Sequence, residues 1–385
     1  MNLSALPGRT HRASLLALTL GLALSGCLGG EDRPTPDGGD PDAGSGDGGH
    51  ALIEPMTGEP YTWTWYPFLR TRCMSGSPAS LAVSHAPGSK KLMIFLQEGG
   101  ACWDPVSCTV VANPDGFGQG DFDRFAAGLG RRGVFKRDDA SNPFREWNQV
   151  FVPYCSGDVH AGSNPEGPGG RIHLGARNMD QFLERIRTTF PEVEQVVLAG
   201  SSAGGVGALL NFERVIGAFG DVPVTLLDDS GPVMSDDFLQ PCLQLLWRNA
   251  WNLGASLPAD CESCQQGPGG MIDALTHLAA KYPQRRMGLV LSTRDEVFRN
   301  FFGFGALGCT TYSPMDGPSF SAGVLDLRDR VLAPHPNVRL YLRDSTQHVY
   351  LRDTPVSRNV VDGVPLSDWL QQLIDADPAW SHVGP

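Results

Sequence analysis

The sequence predicts an α/β fold with a mostly parallel sheet flanked by helices. Short apolar runs alternate with stretches that have helical periodicity. Runs that are apolar on both faces are typical of buried parallel strands, which helices cover on each side. Polar and glycine-rich segments follow several of these runs, at the sheet edge where chemistry is expected. The runs are 91–97, 148–155, 194–200, 222–229, 287–293 and 337–344, and residues 176–190 are predicted to form a helix between two of them.

The N-terminal residues have the features of a secretion signal. Arg9 and Arg12 precede an apolar stretch, and small residues follow it. The stretch ends in Leu24-Ser25-Gly26-Cys27, which resembles the lipobox of bacterial lipoproteins. We therefore expect residues 1–26 to be a lipoprotein signal peptide and Cys27 to carry the lipid. The lipid would anchor the exported protein to a bacterial envelope membrane, facing the periplasm or the cell surface. A plain signal peptide with a chance cysteine is the alternative.

Composition separates a tether from a folded domain. Residues 27–50 are rich in Gly, Pro and Asp and hold little that could enter a core, so we expect a flexible acidic tether. The domain is expected to span residues 51–385. The whole chain has a net charge of −12, and no stripe of Lys and Arg with interleaved aromatic residues offsets it. Nucleic acid is therefore not an expected partner.

Eight cysteines remain beyond Cys27, and an even number in an exported chain indicates disulfides. A bond between Cys102 and Cys108 would close one short loop, and the cysteines from Cys242 to Cys309 could brace a second region. The pair in Cys261-x-x-Cys264 could instead bind zinc. No second pair at metal-ligand spacing accompanies it, so we expect no metal.

The stretch "LAGSSAGGVGALL" (198–210) contains the G-x-S-x-G pattern of a nucleophile elbow. The pattern makes a sharp turn from a strand to a helix and exposes the central residue. Only Ser202 has glycine two positions before and two positions after it, whereas alanines flank Ser201 there. We therefore predict that Ser202 is a nucleophile; a glycine-rich turn that caps a helix is the alternative.

A serine nucleophile needs a base and an acid that orients the base, and in this architecture they follow the serine in the order acid, then histidine. His348 follows the 337–344 run in a short loop and is the predicted base. His277 lies in a helical pattern, His335 precedes a strand, and His382 is in the terminal tail. Asp295 directly follows the 287–293 run and is the favoured acid. Its rivals are Asp228, Asp229 and Asp344, of which Asp229 is interpreted as structural.

The negative charge that develops on an attacked carbonyl also needs fixed hydrogen-bond donors. One donor is expected from the amide after the nucleophile, which is that of Ala203. The segment "FLQEGGACWD" follows the 91–97 run and supplies a glycine-rich loop. The amides of Gly100 and Ala101 are the candidates there, and a tight turn between strand and helix is the alternative.

Several of these motifs together resemble the pectin acetylesterase/Notum family of serine carboxylesterases. They occur in the family's order and span about residues 60–350. They are "RCMSGSPASL" (72–81), "EGGACW" (98–103), "PYCSGD" (153–158), "GSSAGGVGALLN" (200–211), "DDSG" (228–231) and "RDEVF" (294–298).

The resemblance implies an α/β-hydrolase-type fold and a Ser-Asp-His triad. The implied catalytic residues are Ser202, Asp295 and His348. The implied oxyanion-hole amides are those of Gly100, Ala101 and Ala203, and the implied disulfide joins Cys102 to Cys108. The sequence departs from the family at Ala101, where a third glycine or a tryptophan is usual, and in the order Cys102-Trp103, which is reversed. Both departures bear on the shape of the acyl pocket.

The resemblance implies an ester substrate of one of two kinds. Plant members are linked to removal of acetyl groups from pectin, and Notum to removal of a long unsaturated acyl chain from a signalling protein. The leading hypothesis is an exported hydrolase that removes acetyl groups from a polysaccharide such as pectin, through an acyl-enzyme and with no cofactor. The alternatives are a Notum-like or lipase-like deacylase of longer acyl esters and a catalytically dead, glycan-binding surface lipoprotein.

Four phenylalanines just after the predicted acid also leave alternatives open. They could line an acyl pocket, form a platform for a sugar, or belong to the core. They are Phe298, Phe301, Phe302 and Phe304.

Overall fold

The central feature of the structure is a mostly parallel β-sheet with helices on both faces, which confirms the predicted α/β class. The structure is a computed structural model that describes residues 54–385. The predicted signal peptide, the lipidation site Cys27, the acidic tether and the expected domain start at residue 51 lie outside the described residues.

Eight strands form this sheet in the described part of the chain. They are β1 Trp63–Phe68, β2 Ala79–Ser84, β3 Lys91–Leu96, β4 Asn148–Val152, β5 Gln195–Ser201, β6 Val224–Asp229, β7 Met287–Ser292 and β8 Val338–Arg343. Their spatial order is β1-β2-β4-β3-β5-β6-β7-β8. The pairs β1/β2 and β2/β4 are antiparallel, and all other neighbours are parallel. Two further short strands, β9 Val360–Val361 and β10 Val364–Pro365, pair separately.

Helices fill the connections between the strands. They are α1 Gln119–Ala127, α2 Gly175–Thr189, α3 Ala203–Phe219, α4 Pro241–Trp251, α5 Glu262–Gln265, α6 Met271–Lys281, α7 Glu296–Phe302, α8 Ala306–Cys309, α9 Gly317–Asp326 and α10 Leu366–Ile374. A π-helical turn, Leu327–Val331, continues α9.

Alternating side chains of each central strand enter two separate cores. On β3, Leu92, Ile94 and Leu96 pack with α2, α3 and α6. Met93 and Phe95 point to the other face and pack with α1 and α10. Both faces of the parallel strands are therefore buried, which explains why these strands are continuous apolar runs in the sequence.

The six predicted strand runs correspond to β3 through β8, and the predicted helix corresponds to α2. The sequence reasoning missed β1 and β2. The side chains of β1 are mostly half-buried at the sheet edge, and β2 consists largely of small residues. Neither strand therefore has the apolar run that identified the others.

Four disulfides cross-link the domain, consistent with folding outside the cytosol. They join Cys73 to Cys155, Cys102 to Cys108, Cys242 to Cys309, and Cys261 to Cys264. The zinc alternative for Cys261-x-x-Cys264 is wrong in this structure because the two sulfur atoms are bonded to each other. Within residues 54–385, no cluster of three or more His, Cys, Asp or Glu side chains is arranged to hold a metal ion.

A helix that crosses a membrane must be long and predominantly apolar. Among the helices of residues 54–385, none combines the length and the apolar character needed to cross a membrane.

Replacing both Cys73 and Cys155 by serine is expected to lower the free energy of unfolding by about 4 kcal/mol, because this disulfide restricts a long loop of the unfolded chain. The two cysteines are 82 positions apart in the sequence. Cys261 and Cys264 are 3 positions apart, so the matched double serine variant should lose about half as much. Urea unfolding followed by tryptophan fluorescence measures both losses. Equal losses would contradict the loop-closure explanation.

Candidate functional site

The turn between β5 and α3 places Ser202 in a strained backbone conformation. Ser202 has φ 55° and ψ −119°, and α3 begins at the next residue. A positive φ is uncommon for a residue with a side chain and persists only where the surroundings enforce it. The strand-turn-helix arrangement is that of a nucleophile elbow. Ser202 is 5% exposed and lines a cavity at the carboxyl edge of the sheet.

Backbone segments pass too close at this turn for any side chain on the flanking glycines. A Cβ atom on Gly200 would lie 2.0 Å from the carbonyl oxygen of Gly204, and one on Gly204 would lie 2.1 Å from that of Leu96. Both distances are far below van der Waals contact. Gly200 is therefore required by the tight turn from β5 into α3, and Gly204 by the passage of α3 over the end of β3.

The loop after β3 brings further backbone to the same cavity. Gly100, with φ +76°, and Ala101 line the cavity together with Ser202 and Ala203. Within residues 54–385, no acceptor takes a hydrogen bond from the amides of Gly100, Ala101 or Ala203. Three unsatisfied N–H groups beside a serine hydroxyl are suited to stabilise an oxyanion.

A buried polar network fixes the start of this loop at Gln97. The side-chain oxygen of Gln97 accepts a hydrogen bond from the amide of Tyr154 at 2.9 Å. The carbonyl oxygen of Gln97 lies 2.9 Å from Nε2 of His160. Burial lowers the pKa of His160 to about 4, so its imidazole is neutral at neutral pH and Nε2–H donates to this carbonyl. The side chain and the backbone carbonyl of Gln97 both form hydrogen bonds, which fix the start of the loop.

His348 and Asp295 meet after β8 and β7, as their order in the sequence predicts. Nδ1 of His348 donates to Oδ2 of Asp295 at 2.7 Å. The other carboxylate oxygen accepts from the amides of Val297 and Phe298, both at 2.9 Å, and caps α7. The Asp295 side chain is 2% exposed. A carboxylate held in this way fixes the imidazole ring and leaves Nε2 free to accept a proton.

Two observations place the His348 loop near the Ser202 turn. The ring of Phe298 lines the cavity with Ser202 and lies 5.8 Å from the His348 ring, centroid to centroid. The amide of Ser202 donates to the carbonyl of Asp229 at 2.7 Å, and the amide of Val349 donates to Oγ of the next residue, Ser230, at 3.1 Å. The Ser202 turn and the His348 loop are therefore hydrogen-bonded to two adjacent residues, Asp229 and Ser230.

The rival histidines lie elsewhere. His277 is on α6 and pairs with Asp260. His335 precedes β8, and Nδ1 of His382 accepts from the amide of Leu340 within β8.

The rival acids have other environments. Asp344 is largely exposed and pairs with Arg294. Asp228 and Asp229 are buried at the end of β6, and neither is hydrogen-bonded to His348 in the described residues.

The cavity beside Ser202 is narrow and apolar. The cavity volume is about 40 Å³. Apart from the Ser202 hydroxyl, the lining consists of glycine, alanine and apolar side chains. These are Val159, Val206, Pro232, Val233, Leu239, Trp247, Trp251, Met271, Phe298, Phe301 and Phe302.

Three of the four phenylalanines after Asp295 therefore belong to the cavity wall, whereas Phe304 packs against Trp103 and Tyr312. Sequence reasoning missed Trp247, Trp251 and Met271. The only available signal was the aromatic spacing on α4, which core packing explains equally well.

The sequence is similar to a known protein family and to several known proteins. A family sequence model described as Pectinacetylesterase matches residues 69–269. This range includes Ser202 and the loop at Gly100 but neither Asp295 nor His348.

Curated relatives are named palmitoleoyl-protein carboxylesterases. The chain is 31% identical over 135 residues to NOTUM of Schmidtea mediterranea, covering 33% of this chain and 24% of that protein. It is 31% identical over 150 residues to NOTUM of Homo sapiens, covering 37% and 29%, and 30% identical over 149 residues to notum2 of Xenopus laevis, covering 37% and 30%. The chain thus spans less than a third of the length of these relatives. The family model covers more than half of this chain, and the chain belongs to the pectinacetylesterase family.

Proposed function

We propose that the protein is a carboxylester hydrolase in which Ser202 is the nucleophile, His348 the base and Asp295 the residue that orients the base. The hydrogen bond between His348 and Asp295, at the sheet edge that also carries the Ser202 turn, is the observation that carries the proposal. The same arrangement of groups performs acyl transfer on several unrelated folds. Membership of the pectinacetylesterase family supports the same reaction class.

The reaction proceeds in two steps through an acyl-enzyme. Oγ of Ser202 attacks the ester carbonyl while Nε2 of His348 takes the hydroxyl proton. The amides of Gly100, Ala101 and Ala203 donate to the oxyanion of the tetrahedral intermediate. His348 then protonates the leaving alcohol, and a water molecule activated by the same imidazole hydrolyses the acyl-enzyme. Asp295 stabilises the imidazolium in both steps.

The leading substrate is an acetylated polysaccharide such as pectin. The name of the matching family supports an acetyl ester. The narrow cavity agrees with this, because about 40 Å³ leaves room for a small acyl group beside Ser202. The polysaccharide chain would remain outside the cavity, on the open edge of the sheet.

A longer acyl chain is the second candidate, and the lining of the cavity favours it. Eleven apolar side chains surround Ser202, far more apolar surface than a methyl group contacts. The relatives that the chain matches are named for palmitoleoyl-protein esters. The flexible side chain of Met271 and the aromatic rings of the wall could rearrange around a longer chain.

Export and anchoring through Cys27 complete the proposal. Four disulfides support a location outside the cytosol. A lipid on Cys27 would then hold the domain at a membrane by way of the acidic tether.

Ser202→Ala and Asp295→Asn are each expected to lower kcat/KM for p-nitrophenyl acetate by about 10⁴-fold, because each removes part of one catalytic unit. Asp344→Asn is the matched control. Its carboxylate is exposed and pairs with Arg294, so activity should stay within about threefold of wild type. Steady-state kinetics on folded variants, checked by circular dichroism, measure the effect. Full activity of Ser202→Ala would refute the assignment of Ser202 as the nucleophile. A wild-type protein that binds glycan but has no esterase activity would favour the catalytically dead, glycan-binding alternative.

We expect kcat/KM to be about 10- to 100-fold higher for p-nitrophenyl acetate and butyrate than for the octanoate and palmitate esters, because a rigid narrow pocket excludes additional methylene groups. Phe301→Ala should extend the preference toward octanoate, since Phe301 lines the cavity. Phe304→Ala serves as the control because Phe304 packs outside the lining. A series of p-nitrophenyl esters and the release of acetate from acetylated pectin measure the preference. Faster turnover of palmitate than of acetate would support the longer-acyl candidate instead.

A further inference from the structure

A buried carboxylate outside the proposed triad joins the Ser202 turn to the His348 loop. Asp229 is the last residue of β6 and is 0% exposed. Its Oδ2 atom accepts from the hydroxyl of Ser201 at 2.7 Å. The same carboxylate accepts from the amides of Tyr350 and Leu351, each at 3.0 Å. Both segments that carry the reacting groups therefore bind this one side chain.

The backbone around Asp229 reinforces the same connection. Its carbonyl accepts from the amide of Ser202 at 2.7 Å. The hydroxyl of Ser230 accepts from the amide of Val349 at 3.1 Å. Ser202, Ser230 and Val349 all have positive φ, at 55°, 61° and 63°. Side-chain-bearing residues hold this conformation only where neighbouring contacts enforce it, so the hydrogen bonds to Asp229 and Ser230 stabilise a strained arrangement.

We propose that Asp229 is a positioning residue that holds the His348 loop against the Ser202 turn and whose negative charge favours the imidazolium of His348. The proposal rests on the proposed esterase function. It differs from the role of Asp295, which contacts the imidazole directly, because Asp229 acts through the backbone of residues 349–351 and through its charge.

The partners of Asp229 favour its ionised form. Its two oxygens accept from the amides of Tyr350 and Leu351 and from the hydroxyls of Ser201 and Ser230, and hydrogen bonds to the charged form stabilise it. Burial raises the pKa of Asp229, and the hydrogen bonds from Leu351, Tyr350 and Ser201 oppose that rise.

The adjacent Asp228 is equally buried but lacks these donors. Its Oδ1 atom has no hydrogen-bond partner within residues 54–385. Burial raises its pKa well above the ordinary value, with the neighbouring Asp229 as a further cause. The donors around Asp229, and the lack of a donor at Oδ1 of Asp228, favour the negative charge on Asp229 rather than on Asp228.

Other charged and titratable groups face this charge from the neighbouring elements. Asp228 lies on β6, and His348 and Tyr350 lie on the loop after β8. Asp295 binds the far side of the imidazole. Arg343 lies over the Tyr350 ring at 5.7 Å. Of these groups, only Asp229 and Asp295 add negative charge beside His348, so removal of the Asp229 charge should lower the pKa of the imidazole.

Asp229→Asn is the test, because the new amide group would face N–H donors and would carry no charge. We expect kcat for p-nitrophenyl acetate to fall about 100-fold with KM unchanged, as follows from a displaced catalytic group. The acidic limb of the pH profile of kcat/KM should also move to lower pH. Asp228→Asn is the matched control. It leaves the hydrogen bonds and the charge of Asp229 in place, so its kcat and pH profile should resemble those of wild type.

Ser230→Ala is a second variant in case Asp229→Asn does not fold. It removes the acceptor for the Val349 amide and a hydroxyl donor to Oδ1 of Asp229 at 3.3 Å but leaves the Asp229 carboxylate in place, so kcat should fall about tenfold with KM little changed. A merely structural role would lower the urea midpoint and leave the kcat and pH profile of the folded fraction unchanged.

The outcomes separate this inference from the proposed function. An active wild type whose folded Asp229→Asn variant keeps its kcat and pH profile overturns the role of Asp229 alone, and so does an unchanged kcat in Ser230→Ala. A wild type without esterase activity, or an active Ser202→Ala, overturns both.

Discussion

The close passage of α3 over the end of β3 is the constraint on which the site depends. The backbone of Gly204 lies so near the carbonyl of Leu96 that only glycine fits there. The contact lies directly after Ser202, which has a positive φ of 55° in the turn before α3. It also brings the amide of Ala203 beside the loop that follows β3. Neighbouring parallel strands end at one edge of the sheet, so Asp295 after β7 and His348 after β8 both lie at that edge.

At the carboxyl edge of the sheet, the charge of each buried side chain depends on which groups donate hydrogen bonds to it. Asp295 accepts from an imidazole and two amides, Asp229 accepts from amides and a hydroxyl, and Asp228 has an oxygen with no partner in the described residues. His160, fully buried, has a pKa lowered to about 4 and stays neutral. Burial also raises the pKa of Asp228 and Asp229, but the hydrogen bonds that Asp229 accepts oppose the rise. Burial and local donors therefore act together on the charge of each group.

Much of this arrangement could be predicted from the sequence because it depends on local order. The glycines around Ser202 and the placement of His348 and Asp295 after apolar runs are visible in single segments. Strands β1 and β2 are not, because β1 is mostly half-buried and β2, although buried, consists largely of small residues, so neither forms a distinctive apolar run. Trp247 and Met271 were missed for another reason. They reach the cavity through contacts between segments distant in the chain, and no spacing rule encodes such contacts. The hydrogen bonds of Asp229 likewise require the path of the loop after β8.

The bond between Cys242 and Cys309 connects the two segments that build the cavity wall. One segment is α4, which carries Trp247 and Trp251, and the other follows α7, which carries Phe301 and Phe302. A covalent link between them limits how far the aromatic rings can separate. The width of the cavity beside Ser202 is therefore tied to the formation of this disulfide.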